Sequence, residues 1–251
     1  MMFSYQKLFL ILLSFIFSGN AAMGVQREVC NPLYKQEHVM ILGKLIEVEF
    51  FSPSRVGRYP AVLMIHGQAG LFSHPQNGRP ALDNFGEHSL ACHGFIAILP
   101  HYFDISGIKS ASNESIMRTN ASIWLQELRY LVDWIVTLPN VEHKHIGLLG
   151  ESLGGYLAIA LGFTDRRIHL VSAFSSGDPR EIISHITNRP RVLLYRGGRD
   201  SLISIEEIDR TCQWLDVMKI KYHLRIFDGL DHGLDDLSRQ IIINDLIAQR
   251  K

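Results

Sequence analysis

One serine stands among three glycines in L148-L-G-E-S-L-G-G155, between a β-like apolar run and a helix-like one. G150-E-S152-L-G154 fits G-x-S-x-G. In that pattern a strand turns into a helix so tightly that the serine's neighbours must be small, and Oγ projects from the strand's C-terminal end. The helix opening at Leu153 aims unpaired N–H groups and the positive end of its dipole at the same spot. Such a turn suits nucleophilic attack.

A serine hydroxyl is a weak nucleophile until a base takes its proton and an acid orients the base. The chain has 12 histidines, so position must choose between them. His232 lies in F227-D-G-L-D-H-G233, directly after the last strand-like run, and Asp200 in Y195-R-G-G-R-D200, directly after the preceding one. Asp228 and Asp231 are rival acids on the histidine's own loop. Asp200 approaches from a neighbouring strand, which suits contact with Nδ1, so Ser152, Asp200 and His232 are the expected triad. The expected oxyanion donors are the backbone N–H groups of Leu153 and of Gln68, the latter in the loop H66-G-Q-A-G70. His101 and Tyr102, after the run F95–L99, and Arg196 and Arg199, beside Asp200, are candidate pocket residues, the arginines for a substrate carboxylate. The implied chemistry is acyl transfer to water through an acyl-enzyme, with no cofactor. No C-x-x-C occurs and H143-x-H145 lacks further ligand-like neighbours, so no metal site is expected.

These residues need strands to present them. L45–F51 alternates like a half-buried strand, and A61–I65 and F95–L99 are short apolar runs, as buried parallel strands should be. I146–L149, I168–F174, R191–Y195 and Y222–F227 continue the series. Helical patterns cover 81–93, ending at Gly94, then 113–138, stopped by Pro139, then 153–163, 205–218 and 234–251. Trp124 and Trp134 are read as packing the long helix against the sheet. The alternation predicts an α/β fold, a mainly parallel sheet of about seven to eight strands with helices on both faces and minimal or no cap.

With 251 residues, 25 basic against 25 acidic, the chain suits one domain and carries no net charge to attract nucleic acid. Lys7, the apolar run L8–F17 and the small residues S18-G-N-A-A22 read as a signal peptide over 1–22, an uncleaved anchor being the other reading. The single domain is then 23–251, exported to the periplasm or the medium with no stable membrane span. Cys30, Cys92 and Cys212 allow one bridge and one free thiol, in a pairing left open.

H66-G-Q-A-G70, G150-E-S-L-G-G155, G197-G-R-D200 and D231-H-G233, in that order, resemble the α/β-hydrolase superfamily and within it the dienelactone hydrolase family, over most of the chain after about residue 40. Two departures bear on lactone chemistry: Ser152 replaces the cysteine nucleophile of dienelactone hydrolase itself, and the neutral H66-G-Q replaces a loop that carries glutamate there. The resemblance implies a serine hydrolase acting on a small ester-like substrate, a carboxylesterase or lactone hydrolase. A serine peptidase of the prolyl-oligopeptidase type, a thioesterase or acyltransferase, and a non-catalytic binding protein of the same fold are the rivals. Oligomeric state is not readable.

Overall fold

A computed structural model describes residues 30–71, 90–111 and 113–250. The leader 1–22 and residues 81–89 of the helix expected over 81–93 lie outside the described residues. Of that helix, Ala91–His93 forms one 3₁₀ turn, closed by Gly94 at φ 80°.

The sheet has eight strands in the order β1-β2-β4-β3-β5-β6-β7-β8. The strands are β1 (Leu33–Ile41), β2 (Lys44–Ser52), β3 (Tyr59–Ile65), β4 (Ile96–Pro100), β5 (Val141–Glu151), β6 (Ile168–Phe174), β7 (Arg191–Gly197) and β8 (Tyr222–Phe227). From β4 to β8 across the sheet every neighbouring pair is parallel, while β2 runs antiparallel to both β1 and β4. Four helices complete the described fold: α1 (Glu114–Ile135), α2 (Leu153–Thr164), α3 (Ile205–Val217) and α4 (Asp236–Ala248).

Side-chain alternation along each strand divides the core in two. Ala61, Leu63 and Ile65 of β3 face Trp124 and Leu128 of α1, Leu157 of α2 and Leu215 of α3. Val62 and Met64 face the other way, where Ile242, Ile243 and Leu246 of α4 close the second layer. Helix α1 starts where Asn113 accepts the Ile116 amide at 2.9 Å, satisfying one of the open N–H groups of its first turn. Trp124 is fully buried, and the Trp134 ring meets Phe50 of β2 edge-on at 5.2 Å, as the sequence reading expects of both. Helix α2 is apolar nearly all round and lies buried along most of its length; such a helix belongs to an interior.

Strand β1 has no counterpart in the sequence reading. Its middle, Lys35-Gln-Glu-His38, is polar and its flank largely exposed, so periodicity gives no signal there. It joins the sheet through a tight hairpin at Leu42 and Gly43, both at positive φ (50° and 78°). The cysteine pairing is also settled: Cys30 bridges Cys92, with Cα atoms 5.7 Å apart, and Cys212 is a buried free thiol. Among the described residues no helix is long and apolar enough to cross a membrane.

Candidate active site

Ser152 sits between β5 and α2 with φ 53° and ψ −118°, a backbone conformation that costs a non-glycine residue roughly 1–3 kcal/mol. Two backbone bonds fix it there: its N–H donates to the Phe174 carbonyl at 2.8 Å, and its carbonyl accepts from Tyr156 N–H at 3.0 Å. The glycines make the turn sterically possible. A Cβ on Gly154 would lie 1.9 Å from the Ile65 carbonyl oxygen, and one on Gly150 would lie 2.2 Å from that of Gly154. Helix and sheet thus touch backbone to backbone beside the serine.

Asp200 follows β7 and His232 follows β8, both at the C-terminal edge of parallel strands, the edge from which Ser152 also projects. Nδ1 of His232 contacts both Asp200 oxygens, at 3.1 and 2.9 Å. Oδ1 of Asp200 also accepts the amides of Leu202 (2.9 Å) and Ile203 (3.0 Å). The Asp200 side chain is 0% exposed and that of His232 22%. Burial pushes the Asp200 pKa up, yet hydrogen bonding from Ile203 and His232 outweighs it and holds the carboxyl below its ordinary value. Asp231, one rival acid, pairs with Arg199 at 3.3 Å. Among the described residues, hydrogen bonding joins His232 to Asp200 and does not join it to Ser152.

The loop after β3 packs against the serine turn: a Cβ on Gly67 would lie 3.5 Å from the Ser152 Cβ. Tyr102 supports that loop from behind, its hydroxyl donating to the His66 carbonyl at 2.9 Å and its ring stacking on the imidazole at 4.1 Å. Burial drives the His66 pKa down to about 3, so this imidazole is neutral filler under the loop.

A cavity of about 570 Å³ opens at Ser152, and Gln68 and Leu153 line it too. Met117, Tyr156, Ile182 and Ile203 provide apolar wall, and Glu114, Arg118, Glu181 and Arg210 provide charge. Arg118 is held by Glu114 at 2.6 Å, and Glu181 accepts the Tyr156 hydroxyl at 2.9 Å. The start of α1 and the segment 177–182 therefore form the wall facing the serine, a role that no local pattern in those residues signals.

The four pocket residues nominated from sequence lie elsewhere. Tyr102 is buried under the His66 loop. His101 meets Glu49 at 3.1 Å on the outer strands. Arg196 is buried and donates to the carbonyls of Gly197 (2.7 Å) and Asp200 (2.9 Å), bracing the acid's loop. Arg199 is an outward strut to Gly229 and Asp231. Each arginine lies in or beside a turn whose carbonyls need donors, and nearby carbonyls capture it.

Comparison with known proteins bears on the fold and the family. A protein of Synechocystis sp. (strain ATCC 27184 / PCC 6803 / Kazusa), assigned as a carboxymethylenebutenolidase, is 24% identical over 218 residues, covering 78% of this chain and 82% of its own. The crystal structure of a protein assigned as a dienelactone hydrolase from Klebsiella pneumoniae subsp. pneumoniae MGH 78578 superposes with a TM-score of 0.72 at 14% identity, over 86% of this chain and 97% of its own. A dienelactone hydrolase-like promiscuous phosphotriesterase from metagenomic libraries gives 0.68 at 15% identity, over 87% and 97%. At these identities the superpositions establish the α/β-hydrolase fold. The sequence itself carries the assignment further: residues 46–249 match the model of the dienelactone hydrolase family, and the chain belongs to that family.

Proposed function

We propose that this member of the family is a serine hydrolase that cleaves a small ester-like substrate, an ester or a lactone, through an acyl-enzyme on Ser152. The observation that carries the reading is the buried Asp200 carboxylate holding Nδ1 of His232 on the rim where Ser152 occupies a strained strand–helix turn. With the Nδ1 proton directed at Asp200, Nε2 of His232 is left as the base.

In this reading hydroxyl and imidazole come into hydrogen-bond contact when substrate fills the cavity, as in many hydrolases whose catalytic bonds tighten only in the complex. Oγ attacks the carbonyl carbon, its proton passes to Nε2, and the oxyanion rests on the amides of Gln68 and Leu153. Nε2 then protonates the departing alkoxide. Water, deprotonated by the same nitrogen, releases the acid and restores Ser152. The name of the cyanobacterial relative makes butenolide lactones the first substrates to assay beside simple aryl esters. Export to the periplasm or the medium is part of the proposal, supported by the leader-like run Leu8–Phe17 and by the Cys30–Cys92 bridge, which persists in oxidising compartments.

A fluorophosphonate probe tests the nucleophile. Labelling on Ser152, lost together with esterase activity in Ser152→Ala, is the expected result. An unlabelled Ser152, or a Ser152→Ala variant that keeps the wild-type rate, overturns it.

A further inference from the structure

His101 has no part in the proposed acyl transfer, yet it stands in a group of side chains suited to other chemistry. His38 of β1 and Glu47 of β2 are direct partners in the β1–β2 ladder. His101 lies just past β4, and its amide donates to the Glu47 carbonyl at 2.9 Å. The three side chains therefore form a row across three strands, and the two-residue repeat of β2 puts Glu49 on the same face. Glu47, Glu49 and His101 present ligand atoms that all lie within 4.8 Å of one another. Nε2 of His101 is 3.1 Å from Glu49 and 3.5 Å from Glu47. Nε2 of His38 is 4.0 Å from the other Glu47 oxygen.

Two carboxylates here converge on one imidazole nitrogen whose side chain is only 10% exposed. A single N–H can be directed at only one of them at a time. A divalent cation resolves the arrangement. Four-coordinate zinc, with bonds of about 2.0–2.1 Å, holds its ligand atoms roughly 3.3 Å apart. The separations of 3.1 and 3.5 Å straddle that value. One imidazole and two carboxylates are a donor set zinc accepts. Each carboxylate has outer support as well, Glu49 from the Tyr34 hydroxyl at 3.2 Å and Glu47 from the Gln36 amide.

We propose that Glu47, Glu49 and His101 form a binding site for a zinc-class divalent cation. Three protein ligands hold the ion and leave its fourth position to water or to His38, whose Nε2 stands 4.0 Å from the other Glu47 oxygen. It pins the outer hairpin to the residue preceding Tyr102, the side chain that props the His66 loop. The ligands are scattered between residues 47 and 101 in no metal-binding spacing, which is why the sequence carries no signal of them.

The test uses the full chain, purified without a polyhistidine tag, stripped with chelator and titrated with Zn²⁺ alone by calorimetry. One equivalent is expected to bind with Kd below about 10 µM. Glu47→Gln and Glu49→Gln are each expected to weaken it at least about tenfold while the circular dichroism stays native, both side chains being partly exposed. His145→Asn, at the opposite end of the sheet, is expected to leave it unchanged. Zn²⁺ is also expected to raise the thermal midpoint of the wild type and not that of Glu47→Gln. Absence of saturable binding in that range, unchanged affinity in Glu47→Gln and Glu49→Gln, or loss of binding in His145→Asn overturns the proposal.

Discussion

Asp200 and His232, 32 positions apart in the chain, meet through both carboxylate oxygens and one ring nitrogen, at 3.1 and 2.9 Å. The carboxylate sits in a pocket of backbone amides, so the ring inherits its orientation from the main chain of the β7 loop. Asp200→Asn keeps shape and volume but presents an amide to Nδ1 and favours the wrong tautomer. Its kcat on an aryl ester is expected to fall about 10³–10⁴-fold with the fold intact, as steady-state kinetics and circular dichroism will read.

Two buried carboxyl groups make opposite contributions to the pH dependence of stability. Asp200 is held below its ordinary value, so its contribution is complete above the unfolded-state pKa and is lost as pH falls through the lower folded one. Glu127 of α1 is wholly buried with neither oxygen hydrogen-bonded among the described residues, and burial pushes it from 4.5 up to about 9, with Asp104 adding and Lys44 opposing. The folded chain holds a proton there that the unfolded chain releases, so stability drains away as pH rises between those values. Glu127→Gln is therefore expected to stabilise the protein at pH 8 by at least about 1 kcal/mol and to change little near pH 4. Urea denaturation at the two pH values measures it.

Gly197 ends β7 where the histidine loop passes over it. A Cβ at this position would lie 1.9 Å from the Asp231 carbonyl oxygen, next to His232 in sequence. Gly197→Ala must push that loop outward and carry the imidazole off its partner. A loss of about 10²-fold or more in kcat/KM is expected, since misplacement by an ångström costs that much. Ser152 labelling and thermal melts will show whether activity falls further than stability.

The Cys30–Cys92 bridge closes a span of 62 residues. By loop-closure entropy such a cross-link stabilises the fold by about 4 kcal/mol. Cys30→Ser/Cys92→Ser, or reduction of the wild type, is expected to lower the urea midpoint accordingly. Cys212→Ser, which alters only the buried free thiol, leaves the response to reductant in place.

Strands β2 to β8 and the order of Ser152, Asp200 and His232 were legible because buried strands demand apolar runs and because parallel sheets bring the loops after them to one edge. Strand β1 was not, since an edge strand with Lys35 and Glu37 on its flank follows no burial rhythm. Nor was the cavity wall. Sequence adjacency to Asp200 suggested Arg196 and Arg199, but proximity along a turn brings side chains to that turn's own carbonyls. Glu114, Arg118 and Glu181 reach the cavity only because α1 and segment 177–182 are folded over it, a relationship stored in tertiary packing.

Helix α2 begins next to Ser152 and is interior along almost its whole length, its backbone jammed against β3 at Gly154. The attacking side of the cavity is thus welded into the core and cannot give way to fit a bulkier guest without melting the domain. Accommodation falls to the other side, where Glu114, Arg118 and Glu181 are solvent-facing. Variants with altered substrate range should accordingly concentrate at 114–118 and 177–182, where change leaves the Ser152 turn untouched.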